Sequence, residues 1–203
     1  MESVPPSLPD SYKKPRPWWV VPVVWSSLAF ALLTMAGLSL LLYFRLSDGY
    51  RFYRVPSNGM APTISKGDHV LGLARNSGLE QLRQCDVIIF HMIETSSLPG
   101  YAGSIFIQRT AALPGQHVQL LKDKVLVDGK EFMIKTEHGE LHYAGSEGQF
   151  QKDFIVPPGQ VFTLGDNTHN SFDGRFWGLL PADRIFQKGV YRVAPASRIG
   201  PVH

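Results

Sequence analysis

Cysteine is nearly absent. Cys85 is the only one in 203 residues, so no intrachain disulfide can form and no zinc site can be built on several thiolates. A single thiol fits any compartment and locates nothing. A strong charge of either sign is absent as well. Lys and Arg number 20 against 17 Asp and Glu, and the net charge is +3. No basic run is interleaved with aromatics, so nucleic acid is not an expected partner. Beyond residue 50 there is no long helical periodicity, no internal repeat and no low-complexity run. The 19 Gly and 15 Pro favour turns and short strands instead. A chain of this length is expected to hold one folded domain with appendages.

The sharpest absence is of charge between Arg16 and Arg45. A spanning helix needs roughly 20 mostly apolar residues, and this run exceeds that with room for tilt. Trp18, Trp19 and Trp25 gather at one end, Tyr43 and Phe44 at the other, as in an aromatic belt. Pro22 falls in the first turns, where a missing donor costs little. The run is too long for the apolar part of a cleaved signal peptide, and no small-residue cleavage site follows it. Residues 17–45 are therefore expected to form a transmembrane helix. The lipid bilayer is its partner. Lys13, Lys14 and Arg16 precede the helix, while Arg45, Arg51 and Arg54 follow it. The local counts tie, but the positive-inside rule weighs short tails more than long domains. Residues 1–16, rich in proline, then form a disordered cytoplasmic tail, and residues 46–203 lie outside.

From Tyr50 onward the pattern is of strands. Asp86–Phe90 is an apolar run with no room for a helix, and Ser104–Arg109 alternates. His117–Leu121 and Lys124–Val127 flank a charged turn, and Asp128–Gly129 signals another. Phe154–Val156, Gln160–Leu164 and Gly189–Val193 complete a mainly β, antiparallel domain. Residues 121–157 read as a hairpin-bearing excursion.

Three segments are chemically dense. The first is Val55-Pro56-Ser57-Asn58-Gly59-Met60-Ala61-Pro62-Thr63, a bend pinned by two prolines. Asn58 and Gly59 tolerate positive φ, so the backbone between the prolines can bend sharply. The second is Ile107-Gln108-Arg109-Thr110-Ala111-Ala112-Leu113-Pro114-Gly115. The third is Gly165-Asp166-Asn167-Thr168-His169-Asn170-Ser171-Phe172-Asp173-Gly174-Arg175-Phe176-Trp177-Gly178. Together they resemble bacterial type I signal peptidase, a membrane-anchored serine protease with a Ser-Lys dyad. The resemblance runs from Val55 to Gly200, and the anchor ahead of the first motif fits it. It implies a signal-peptidase-like β-sheet domain held at the plasma (inner) membrane, signal peptides or exported pre-proteins as partners, and no cofactor or metal.

The resemblance fails where the chemistry should be. The family's nucleophilic serine precedes the motif methionine; here Gly59 precedes Met60. Its general base is a lysine before the motif arginine; here Gln108 precedes Arg109. A serine that supports the lysine is expected at position 174, where this chain has glycine. Acyl transfer needs an oxygen nucleophile and a group to take its proton. Glycine has no oxygen, and an amide accepts no proton near neutral pH. Loss of the nucleophile alone costs on the order of a millionfold in turnover. The scaffold of the resemblance persists: Ser57 at the oxyanion position, with Met60, Arg109, Asp166, Asn167, Asp173 and Arg175 holding the site. The implied peptide groove runs between Phe52–Pro56 and Ser104–Gln108, with Phe52, Val55, Ile105 and Ile107 against the ligand.

Other nucleophiles and ligands compete poorly. Ser57 is two residues from the nucleophile position, a displacement of about 6 to 7 Å on an extended chain, which near-attack geometry does not survive. His138 and His142 have zinc-binding spacing only on a helix, and Gly139 argues against one. His169 reads as a solvated loop residue. The favoured reading is an inactive signal-peptidase homologue that binds signal peptides or exported proteins. Two others stay open: an active enzyme with a rearranged site, and a structural or assembly protein with a vestigial groove.

Overall fold

A computed structural model describes residues 20–46, 50–74, 82–95, 99–137, 139–145 and 152–202. The expected tail, Trp18, Trp19 and His138 lie outside the described residues. The chain divides into an N-terminal unit that holds one helix and a second unit that holds every strand.

Helix α1 (Val20–Leu46) is the helix that the uncharged run predicts. Its stretch Pro22–Tyr43 is long and apolar enough to cross a membrane. Those 22 residues extend about 33 Å at 1.5 Å per residue, matching a hydrocarbon core of about 30 Å. Pro22 is the third residue, where its missing N–H is one of the unpaired donors anyway. The polar side chains serve their own helix: Ser26 and Ser27 donate to the Val23 carbonyl, and Thr34 donates to Ala31. Every side chain from 22 to 43 is exposed, Trp25, Phe30 and Leu33 included. Lipid solvates such a surface at no hydrophobic cost; water does not.

The second unit is a sheet of eight antiparallel strands. In chain order they are β1 (Tyr50–Arg54), β2 (His69–Ala74), β3 (Val87–His91) and β4 (Ile105–Ala112). A second, smaller sheet and a hairpin intervene. They comprise β5 (His117–Leu120), β6 (Val125–Val127), β7 (Lys130–Glu131), β8 (Met133–Thr136), β9 (Gly139–His142) and β10 (Asp153–Ile155). The main sheet resumes with β11 (Gln160–Leu164), β12 (Leu180–Pro181), β13 (Ile185–Ala194) and β14 (Gly200–Val202). A single short turn of helix, α2 (Gly174–Trp177), follows the third motif's loop.

The spatial order of the main sheet is β1-β2-β13-β3-β4-β11-β12, with β14 also on β13. The small sheet runs β10-β5-β6-β7, and β8 pairs only β9. Strand pairing in the excursion thus begins at His117, ahead of residue 121. Between β6 and β7 the turn residues Asp128 and Gly129 have φ of 51° and 75°. That pair of positive values is what an Asp-Gly hairpin turn demands.

β3 explains how the core is laid out. Its burial is continuous because both faces are covered. Ile88 and Phe90 pack with Trp177, Leu180 and Ile185, whereas Val87 and Ile89 pack with Val55, Met60, Ile64 and Val70. The second of these clusters seats the first motif on the sheet. The third cluster joins the small sheet to β11 through Val118, Phe154, Phe162 and Leu164.

Two edges remain open beside the first motif. β1 pairs β2 on one side, and no described strand follows on the other. On β4, Ile105 to Gln108 pair only β3, because β11 joins at Arg109.

Candidate functional site

The three dense segments meet at one place. The first follows β1 directly. Its bend is closed by Ala61 N–H to Asn58 carbonyl at 3.0 Å and Ile64 N–H to Met60 carbonyl at 2.7 Å. The Asn58 side chain accepts from the Lys66 N–H at 2.8 Å. Neither Asn58 nor Gly59 adopts a positive φ. The hydrogen bonds of Ala61, Ile64 and Lys66 N–H close the bend instead. Glycine at 59 is therefore not a backbone requirement.

The third segment grips the first by its carbonyls. Asn167 donates its N–H to the Gly59 carbonyl at 3.1 Å and its side-chain amide to the Asn58 carbonyl at 3.0 Å. Gly165 allows this approach: a Cβ there would lie 2.5 Å from the Gly59 carbonyl oxygen and would collide with the Ser171 hydroxyl.

Two arginine–aspartate pairs hold the third segment. Arg109 donates Nε–H to Asp166 Oδ1 at 2.9 Å and Nη2–H to Oδ2 at 2.7 Å, both side chains fully buried. Its Nη1 reaches the Cys85 carbonyl at 2.8 Å. Arg175 grips Asp173 in the same bidentate way, at 2.9 and 2.8 Å, and donates Nη1–H to the carbonyls of Ala144 and Thr168. Asp173 also accepts from the Gly165 N–H at 3.0 Å. Such forks fix geometry as well as charge. Burial alone would lower the Arg109 pKa, but the bonds and charge of Asp166 outweigh it and the net direction is up. Tyr143 donates its hydroxyl to Asp166 Oδ1 at 2.7 Å. Burial, then the Asp166 charge, raises its pKa far above the ordinary tyrosine value.

Gln108 is 3% exposed and well satisfied. Its Nε2 donates to the Phe172 carbonyl at 2.9 Å, and its Oε1 accepts from the Thr163 hydroxyl at 2.7 Å. Gly59 and Gln108 both line a groove of about 610 Å³ between β1 and β4. Val55, Met60 and Ile64 contribute apolar surface, as do Ile105, Ile107, Phe106, Tyr53 and Phe172. Among the described residues that line it, Arg54 is the charged one, and none is a lysine or a histidine.

Val55, Ile105 and Ile107 line this groove, while Phe52 does not. Alternation on β1 decides this: Tyr53 turns inward against the core, so Phe52 faces away and stays exposed. Gly174 is buried behind β11, where a Cβ would lie 2.7 Å from the Phe162 ring and 2.7 Å from the Thr163 carbonyl oxygen. The hydroxyl beside the nucleophile position is that of Ser171, 3.7 Å from where a Gly59 Cβ would stand, with Ser57 Oγ at 3.9 Å. Sequence reasoning missed Ser171, although the third motif contains it, and it missed Thr163 and Tyr143, which no motif marks. His142 lies on β9 with Nδ1 2.7 Å from Glu131, so no helical zinc pair forms there. His169 is an exposed loop residue.

Chemically, the described lining offers the neutral hydroxyls of Ser57 and Ser171 and the amides of Asn58 and Gln108. Two measurements probe its construction. Gly59→Ser should leave the melting temperature unchanged, because its Cβ meets only ordinary contacts. Gly174→Ser should destabilise by about 1–3 kcal/mol through overpacking. Equal melting temperatures for the two variants would contradict these placements. Tyr143 should make stability fall in alkali. Its folded pKa is raised, so its contribution is complete below about pH 10, the unfolded value, and is lost as pH rises beyond it. Urea unfolding across that range should show a shallower fall for Tyr143→Phe than for the parent; parallel curves would refute the assignment.

Comparison with known proteins identifies the family. The family model for signal peptidase, peptidase S26, matches residues 25–194. A probable signal peptidase I-1 of Synechocystis is 34% identical over 192 residues, covering 92% of this chain and 89% of that protein. The signal peptidase I of Leptolyngbya laminosa is 31% identical over 72% of this chain and 70% of its own length. The chloroplastic thylakoidal processing peptidase 1 of Arabidopsis thaliana is 30% identical over 71% of this chain, which spans 42% of that longer protein. A solved signal peptidase I from Enterococcus faecalis aligns with a TM-score of 0.36 at 22% identity, over 52% of this chain and 93% of its own. The chain belongs to the signal peptidase family, peptidase S26.

Proposed function

We propose that this protein is a membrane-anchored signal peptidase homologue that binds signal peptides or exported pre-proteins without cleaving them. The observation that carries the reading is the pair Gly59 and Gln108 on the groove wall. Catalysis in the resembled family needs a hydroxyl and an amine at those positions, and here there is neither. Ser57 and Ser171 have hydroxyls, but among the described residues no lysine or histidine lines the groove to activate them. The active alternative with Ser57 as nucleophile lacks a base for the same reason.

Peptide binding asks for less. An extended chain can add itself between open strand edges through main-chain bonds, and pockets read its side chains. The edges of β1 and of Ile105–Gln108 frame such a slot, and its volume lies within the range of about 300–1,000 Å³ usual for ligand sites. Neither catalytic side chain is needed for that pairing. In this reading α1 spans the plasma (inner) membrane, residues 1–16 stay in the cytoplasm, and the β domain faces outward. Met60, Arg109, Asp166, Asn167, Asp173 and Arg175 act as site scaffold, and Ser57 keeps the oxyanion position without an oxyanion to serve.

The test is equilibrium binding of a fluorescein-labelled synthetic signal peptide to the full chain in detergent. Saturable binding is expected, with the peptide intact by mass spectrometry after long incubation. Ile105→Asp should weaken binding roughly tenfold by placing a charge on the apolar wall. Affinity equal to that for a scrambled peptide would favour a vestigial groove, and cleavage would favour an active enzyme. For the orientation, protease added to intact spheroplasts should digest the β domain; full protection would reverse it.

A further inference from the structure

A buried polar side chain lies under the sheet beside the groove, and neither the scaffold nor the chemistry above accounts for it. Gln187 on β13 is 1% exposed. Its Oε1 accepts a hydrogen bond of 2.7 Å from the Tyr53 hydroxyl. Tyr53 belongs to β1, and β2 lies between β1 and β13. The side chain can cross β2 only because residue 72 is glycine. A Cβ at Gly72 would collide with Gln187 Oε1 and would lie 2.6 Å from Ile89 Cδ1. The other end of the amide, Nε2, is buried with no partner.

That arrangement is costly. An unpaired buried N–H is disfavoured, and a hydrocarbon side chain of similar length would avoid it. Among the described strands β1 is the sheet's edge and is paired only by β2. The Tyr53–Gln187 bond ties it one strand deeper. Tyr53 is half-buried, packs on the cluster of Val55, Met60 and Ile64, and lines the groove. Its hydroxyl is spent beneath the sheet, so what faces the groove is ring carbon. Burial, partly offset by the nearby Arg51 charge, raises the Tyr53 pKa, in keeping with a hydroxyl held away from water.

We infer that Gln187 is a positioning residue for the peptide groove: it fixes Tyr53 with the hydroxyl turned inward, and the Tyr53 ring thereby selects an apolar side chain in the bound peptide. This rests on the peptide-binding reading above. Without Gln187 the hydroxyl has no partner under the sheet and turns to the groove, where it adds a polar group and loosens the ring. Gly72 is the third member, since it keeps the path open.

The experiment uses the full chain in detergent and two fluorescein-labelled synthetic signal peptides, one with an apolar hydrophobic segment and one with a serine in that segment. Gln187→Met keeps side-chain length and removes the orphan N–H, so its melting temperature should equal or exceed that of the parent. Its affinity for the apolar peptide should nonetheless fall about fivefold, the worth of one hydrogen bond, and its discrimination between the two peptides should narrow. Tyr53→Phe should weaken binding by a similar factor, and the double variant should bind no more weakly than Gln187→Met alone, because one contact is lost in each case. Parent-like affinity and discrimination in a folded Gln187→Met would overturn the inference, as would multiplicative effects in the double variant. If Gln187→Met does not fold, Tyr53→Phe decides: parent-like affinity and discrimination in that variant overturn the inference. Failure of the parent to bind either peptide would instead strike the peptide-binding reading itself.

Discussion

Two buried arginine–aspartate forks hold the rest of this site in place. Arg109–Asp166 ties β4 to the loop after β11, and Arg175–Asp173 closes that loop on itself and on Ala144. All four side chains are within 1% of complete burial. Charges so far from water are tolerable only when paired, and breaking such a pair costs about 3–5 kcal/mol. Everything near the groove follows from them. The loop they shape presents Asn167 to the carbonyls of Asn58 and Gly59, puts Ser171 beside Gly59, and sends the Phe172 carbonyl to Gln108. Tyr143 adds the excursion to the same network through Asp166.

Within that frame the two altered positions are of different kinds. Gly59 leaves open space on an unstrained backbone, so a serine would fit without rearrangement. Gln108 has instead recruited a donor and an acceptor. Thr163 Oγ1 and the Phe172 carbonyl could equally receive N–H bonds from a lysine, since a hydroxyl accepts as readily as it donates. A lysine there would be largely desolvated, the condition that lowers its pKa toward the range of a useful base. The surroundings of both positions would thus accept a serine and a lysine.

Much of this was legible in the sequence because it is written in local signals. The absence of charge from 17 to 44 marks α1, and the apolar run at 86–90 marks a strand covered on both faces. The Asp-Gly pair at 128–129 marks its hairpin. The resemblance located Gly59 and Gln108 because each adjoins a distinctive residue, Met60 and Arg109. What stayed hidden depends on three dimensions. The part played by Gly174 is decided by the Phe162 ring behind it. Phe52 and Tyr53 differ only in which face of β1 they occupy. Thr163 and Tyr143 act through partners 55 and 23 residues away, and nothing in their own neighbourhoods announces that.

The reading we propose is that catalysis is missing for want of two side chains, Gly59 and Gln108 standing where the resembled family needs a serine and a lysine. Nucleophile and base act as one unit, so their restoration should be strongly non-additive. The direct measurement is single-turnover cleavage of a pre-protein by the parent, Gly59→Ser, Gln108→Lys and the double variant, each shown to be folded. The account predicts cleavage well above background for the double variant alone. Turnover by the parent, or a single variant as active as the double, would contradict it.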